Sequence, residues 1–112
     1  MRISLIAVVL LVAFAGAAWA AGPDPKAGEA ISIQCAACHG NSGMSVDNNI
    51  PNLAGQHYNY LLEQLTAYKQ KTRNNPIMNE MIGPLSQQQM EDIAAYYANI
   101  PIRTGPSTPS PK

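Results

Sequence analysis

Apolar and polar positions along the chain fall into three helical segments, set between an unbroken apolar run at one end and a proline-rich stretch at the other. The clearest segment is the middle one, Gln56 to about Lys71. Tyr58, Leu61, Leu62, Leu65 and Tyr68 recur there at steps of three and four, the period of one helical face. A shorter segment, Lys26 to about Gln34, carries Ala27, Ala30, Ile31 and Ile33. The last begins at Ser86, with Gln89 three positions on in a capping-box pattern. Its apolar face is Met90, Ile93, Ala94 and Tyr97, and Pro101 closes it.

The intervening stretches lack periodicity. Residues Gly40 to Asn49 are polar and turn-rich, so they read as loop. Pro51 to Gly55 reads as an extended stretch or turn. Thr72 to Gly83, interrupted by Asn74-Asn75-Pro76 and ended by Gly83-Pro84, reads as irregular. No alternating pattern of strand type and no internal repeat is present, so the predicted class is all-α, with three main helices.

At the N-terminus, Arg2 precedes an apolar run from Ile3 to Phe14, and Ala18-Trp19-Ala20 has the small-x-small form of a secretory cleavage site. The reading is a signal peptide over 1–20, a domain over 21–101 and a disordered Pro/Ser-rich tail over 102–112. An uncleaved anchor is the alternative, since the apolar run approaches the ~20 residues of a membrane span. Only in that case would the protein be tied to the membrane. Loss of Arg2 with the leader takes seven basic against seven acidic residues to six against seven, a net charge of −1. That balance lacks the clustered basic face that nucleic-acid binding calls for. A mature domain this small has a limited core, to which a bound cofactor can add.

That cofactor is indicated by Cys35-Ala36-Ala37-Cys38-His39, the C-x-x-C-H signature of covalent haem c attachment. Two thiols three positions apart lie on one face of a single turn and can add across two neighbouring vinyl groups of one porphyrin. The adjoining histidine is then placed to bond to the iron. These are the only cysteines in the chain. A thioredoxin-type pair wants a βαβ context that is absent. A zinc site wants four Cys/His ligands, and only His57 remains as a fourth, without the spacing of a partner cluster. A plain disulfide is permitted by an oxidising compartment but does not use the histidine.

With His39 on one side of the iron, the sixth ligand decides what the site does: Met/His ligation marks electron carriers, an open site permits ligand binding or catalysis. Met44 is too near His39 in the chain to reach the opposite haem face. Met90 falls on the inward face of the last helix, where a gap-filling core role explains it. His57 reads as a partly exposed helix-start residue. Met78 and Met81 remain. Met78 is preferred because it follows Pro76-Ile77, which predicts an extended backbone free to present the thioether, while Met81 could be an apolar plug.

Five ordered blocks carry a family resemblance: Cys35 to Gly40, Pro51 to Gln56, Tyr60 to Leu65, Met78-x-x-Met81-x-x-Pro84-Leu85-Ser86, and Asp92 to Tyr97. From Lys26 to Ile100 the chain resembles bacterial class I cytochromes c, both the short single-haem forms and one half of the dihaem forms. The resemblance implies the small cytochrome c fold, with the first and last helices crossing around one covalent haem. It implies an axial methionine seven positions before Leu85, which is Met78, and a carbonyl from Pro51 that orients His39. Ile93 and Tyr96 would meet the first helix at Gly28. Leu53, Leu61, Leu65, Ile77 and Ile82 would form the apolar haem shell. Ser32 departs from the family, which often has an aromatic there, so the crossing is expected to be looser or repacked by Ile31.

The function so implied is that of a periplasmic single-electron carrier, not an enzyme. Its partners would be a membrane cytochrome complex, a terminal oxidase or a periplasmic dehydrogenase, met through the exposed haem edge near Cys35 and Cys38. A haem subunit of a larger periplasmic oxidoreductase is the alternative. A haem sensor or catalyst with a displaceable methionine is the third reading.

Overall fold

The computed structural model describes residues 21–102; the leader over 1–20 and residues 103–112 of the tail lie outside the described residues. Four helices follow in chain order: α1 (Pro25–His39), α2 (Tyr58–Lys69), α3 (Pro76–Ile82) and α4 (Gln87–Ala98). There is no strand among the described residues. The all-α expectation holds, and none of these helices is long and apolar enough to cross a membrane.

Helix α1 starts where Asp24 accepts a hydrogen bond from the Lys26 amide (2.9 Å), with Pro25 in the first turn, where its missing N–H costs nothing. It continues through the cysteine pair to His39, five residues beyond the expected end at Gln34. Helix α4 crosses it and also packs on α2, while α2 holds α3. The crossing point is Gly28: an added Cβ would lie 1.9 Å from the Asp92 carbonyl oxygen and 2.9 Å from Cβ of Tyr96. Only glycine lets the two backbones approach this closely. Asp92, itself buried, fastens the pair by accepting from the Asp24 amide (2.8 Å) and from Gln88 Nε2 (2.9 Å).

The core forms where the helices meet: Leu61, Ile82, Leu85, Met90, Ile93, Ala94 and Tyr97. Met90 is 1 % exposed, which bears out its core assignment. The capping box at Ser86 and Gln89 is formed in both directions. Ile33 is 76 % exposed and Ile77 is 68 % exposed.

A larger correction concerns residues 76–82, expected to be irregular and, at Met78, extended. They form helix α3. Asn75 has an extended backbone and its Oδ1 accepts from the amides of Ile77 and Met78 (3.1 Å each), while Pro76 takes the first helical position. The Asn-Pro pair that reads as a helix breaker is here a helix start: a polar cap followed by a residue with its φ already set.

Candidate haem site

The proximal side is built from the end of α1 and the loop that folds back on it. Gly40 closes α1 with a positive φ of 87° and donates its N–H to the Ala36 carbonyl (2.9 Å). The chain then turns at Gly43, whose carbonyl accepts from the amides of Leu53 (2.8 Å) and Ala54 (3.0 Å). Gly43 has φ 71°, and a Cβ there would stand 2.9 Å from the Ala54 nitrogen, so both conformation and space require glycine. Asn52 accepts from the Ser45 amide (2.7 Å). This lacing holds Pro51 opposite His39.

The result is a hydrogen bond of 2.8 Å between Nδ1 of the buried His39 ring and the Pro51 carbonyl oxygen. A carbonyl only accepts, so Nδ1 carries the proton and donates it. The lone pair is therefore on Nε2, the nitrogen left for a metal, and the bond orients the ring. One helical turn before it, Cys35 is half-buried and Cys38 exposed, and neither is in a disulfide. Burial pushes the Cys35 thiol up; a hydrogen bond with Tyr97 opposes this and the nearby Cys38 adds to it.

Helix α3 carries Met78 and Met81, both half-buried and packed against the core. Three positions apart on one helix, the two thioethers lie on the same face. Side chains brace the helix from both ends. Asn79 Nδ2 donates to the carbonyls of Tyr68 (2.7 Å) and Arg73 (3.0 Å), and its Oδ1 accepts from the Asn75 amide (2.8 Å). Lys69 Nζ donates to the carbonyls of Gly83 (2.8 Å) and Leu85 (2.5 Å). Sequence reasoning missed these braces. Asn75-Pro76 was a usable signal for the cap, whereas nothing local to Lys69 announces a reach of 14 to 16 residues.

Two other sequence candidates, His57 and Met44, stand exposed and apart from this arrangement. His57 is exposed at the start of α2, its ring beside Gln56 Oε1 (3.3 Å), as expected of a helix-start residue. Met44 lies in the 40–55 loop and is 47 % exposed. Leu53 is half-buried against the core, next to the amides that anchor the loop.

Two thiols on one turn, a buried imidazole with its outer nitrogen free, and a thioether-bearing helix make a donor set that fits a covalently attached haem c. Comparison with known proteins agrees. The family model described as Cytochrome c matches residues 25–100, and the chain belongs to that family. Cytochrome c4 of Thiocapsa roseopersicina is 46 % identical over 87 residues, which is 77 % of this chain and 45 % of that protein. A thiosulfate dehydrogenase electron acceptor of Thiomonas intermedia is 39 % identical over 87 residues, 77 % of this chain and 37 % of its own length. The crystal structure of reduced recombinant cytochrome c4 from Pseudomonas stutzeri superposes with a TM-score of 0.67 at 41 % identity, over 72 % of this chain and 47 % of that one. The chain thus spans less than half the length of each of these relatives. The likeness to a dihaem class I cytochrome is to one half of it.

Proposed function

We propose that this chain is a periplasmic single-electron carrier with one haem c attached through Cys35 and Cys38 and ligated by His39 and Met78. The observation that carries the reading is the His39–Pro51 hydrogen bond, because it fixes on a buried ring the tautomer that presents Nε2 to iron. Bound haem supplies a one-electron ferric–ferrous couple. The chain's own residues would hold the two iron ligands in place: the 40–55 loop fastens Pro51 against His39, while Asn75, Asn79 and Lys69 fasten α3, which carries Met78. A thioether ligand and the apolar side chains of Leu53, Leu61, Leu65 and Ile82 favour the less charged ferrous state. The spacing to Leu85 that the family resemblance implies favours Met78 over Met81 as that ligand. Electrons would pass at the exposed Cys38 side of the attachment turn, to redox proteins met in small, transient interfaces.

A second reading has one specific support. The relative named as a thiosulfate dehydrogenase electron acceptor is consistent with a haem unit serving a larger periplasmic oxidoreductase. Export is supported by the leader pattern at 1–20.

Periplasmic expression followed by redox titration tests the proposal. A carrier shows haem that survives denaturation, a reversible one-electron titration, and no reaction of the native ferrous form with carbon monoxide. Ready carbon monoxide binding would overturn it in favour of an open, ligand-binding haem.

A further inference from the structure

Among the hydrogen bonds of the described residues, one joins the 40–55 loop to α4: the Gly55 amide donates to the Tyr97 carbonyl (2.8 Å). On its other side the loop meets α1 through the His39–Pro51 bond. Between these two attachments, the amides of Leu53 and Ala54 both donate to the Gly43 carbonyl. The segment from Pro51 to Gly55 is thus a short strap from the last turn of α4 to the buried imidazole.

Past α4 the chain turns back over the end of this strap. Ile100 also donates its amide to the Tyr97 carbonyl (3.3 Å), and Pro101 leads into Ile102. The side chain of Ile102 lies on Gly55: a Cβ built at Gly55 would overlap Cγ1 and Cδ1 of Ile102, with the Ile100 carbonyl oxygen 3.4 Å away. Ile102 is itself 57 % exposed, so its own burial contributes little. What the contact does is cover the backbone at the one hydrogen bond that fastens the loop to α4. A hydrogen bond kept from water is the stronger for it.

We propose that Ile102 is a positioning residue for the axial histidine: by covering Gly55 it holds the Gly55–Tyr97 bond closed, and with it the strap that presents the Pro51 carbonyl to His39. The inference rests on the reading of His39 as the iron ligand. Ile102 acts through the backbone from Gly55 to Pro51. Loss of its outer carbons lets the strap open locally more often, so the two end bonds loosen together. The Gly55 amide proton reports one end and the His39 Nδ1 proton the other.

The test uses the periplasmically matured, reduced protein, isotope-labelled for NMR, once the pyridine haemochrome spectrum has shown covalent haem. Solvent exchange of both protons is followed at several low denaturant concentrations. Exchange that does not respond to denaturant reports local opening, and exchange that climbs with denaturant reports global unfolding. Ile102→Ala should speed both protons on the order of threefold in the denaturant-independent range, as loss of the partly buried end of one isoleucine allows. Ile102→Val, which keeps Cγ1 and loses Cδ1, should fall between it and wild type. Ile33→Ala, a change at another exposed isoleucine, should move neither. Faster exchange at Gly55 alone, or acceleration of His39 only through global unfolding, would mean a purely structural role and overturn the inference alone. So would unchanged exchange at both. Wild type without covalent haem would overturn the ligand reading and this inference with it.

Discussion

Gly28 of α1 lies so close beneath Asp92 of α4 that a single added carbon would overlap the Asp92 carbonyl, at 1.9 Å. Backbone sits on the other side of this contact, so no rotamer change relieves it. Gly28→Ala must push the helices apart and strain the Asp24–Asp92 and Gln88–Asp92 hydrogen bonds. A cost of at least about 1–3 kcal/mol is expected. In a domain of this size it corresponds to a fall in melting temperature on the order of 4–8 °C per kcal/mol, read by thermal circular dichroism.

The cap of α3 gives a second prediction. Asn75 accepts from two amides, one of them Met78's own. Asn75→Ala should cost about 1 kcal/mol, and the loss should fall on the methionine side of the site. Methionine ligation, followed by the far-red band of the ferric protein, should then be lost at lower denaturant than global helicity. Equal midpoints for the two probes would contradict the assignment of this helix to positioning the ligand.

Lys69 supplies a third. Its ammonium group donates to the carbonyls of Gly83 and Leu85, fastening the end of α3 to α2. Lys69→Met keeps the aliphatic stem and removes the donor. The side chain is exposed, so the cost to global stability should be small, well under that of a buried pair. Amide exchange over Ile82 to Leu85 should nevertheless rise several-fold, as local opening there becomes easier.

Alkaline pH gives a fourth. Burial pushes the Tyr97 phenol well above its ordinary value near 10, and its proximity to Cys35 adds to this, while its bond to Ser32 works against it. An acid whose pKa is raised by folding contributes stability that is fully present below the unfolded value. That stability is lost as pH climbs beyond it, because the unfolded chain ionises first. Unfolding free energy should therefore fall above about pH 10. Tyr97→Phe should flatten that fall, as chemical denaturation at a series of pH values would show.

How much of this was legible in the sequence depends on how local the determining physics is. The Ser86–Gln89 box, the face of α2 and the Asn75-Pro76 pair are all local, yet the last reads as a break, because proline marks both the break and the start of a helix. The cysteine–histidine turn was legible because its chemistry demands one spacing. Gly28 and Pro51 came from family resemblance, and their contacts join positions 64 and 12 residues apart that no local pattern connects. Met78 and Met81 share one face of one helix, so periodicity leaves them equivalent.

The most direct test of the central claim is the ferric absorption spectrum of the matured protein, compared among wild type, Met78→Ala and Met81→Ala. A weak far-red band reports sulfur bonded to ferric iron. The account predicts the band in wild type and in Met81→Ala, and its loss in Met78→Ala alone. Its absence from wild type, or its survival in Met78→Ala, would contradict His39/Met78 ligation.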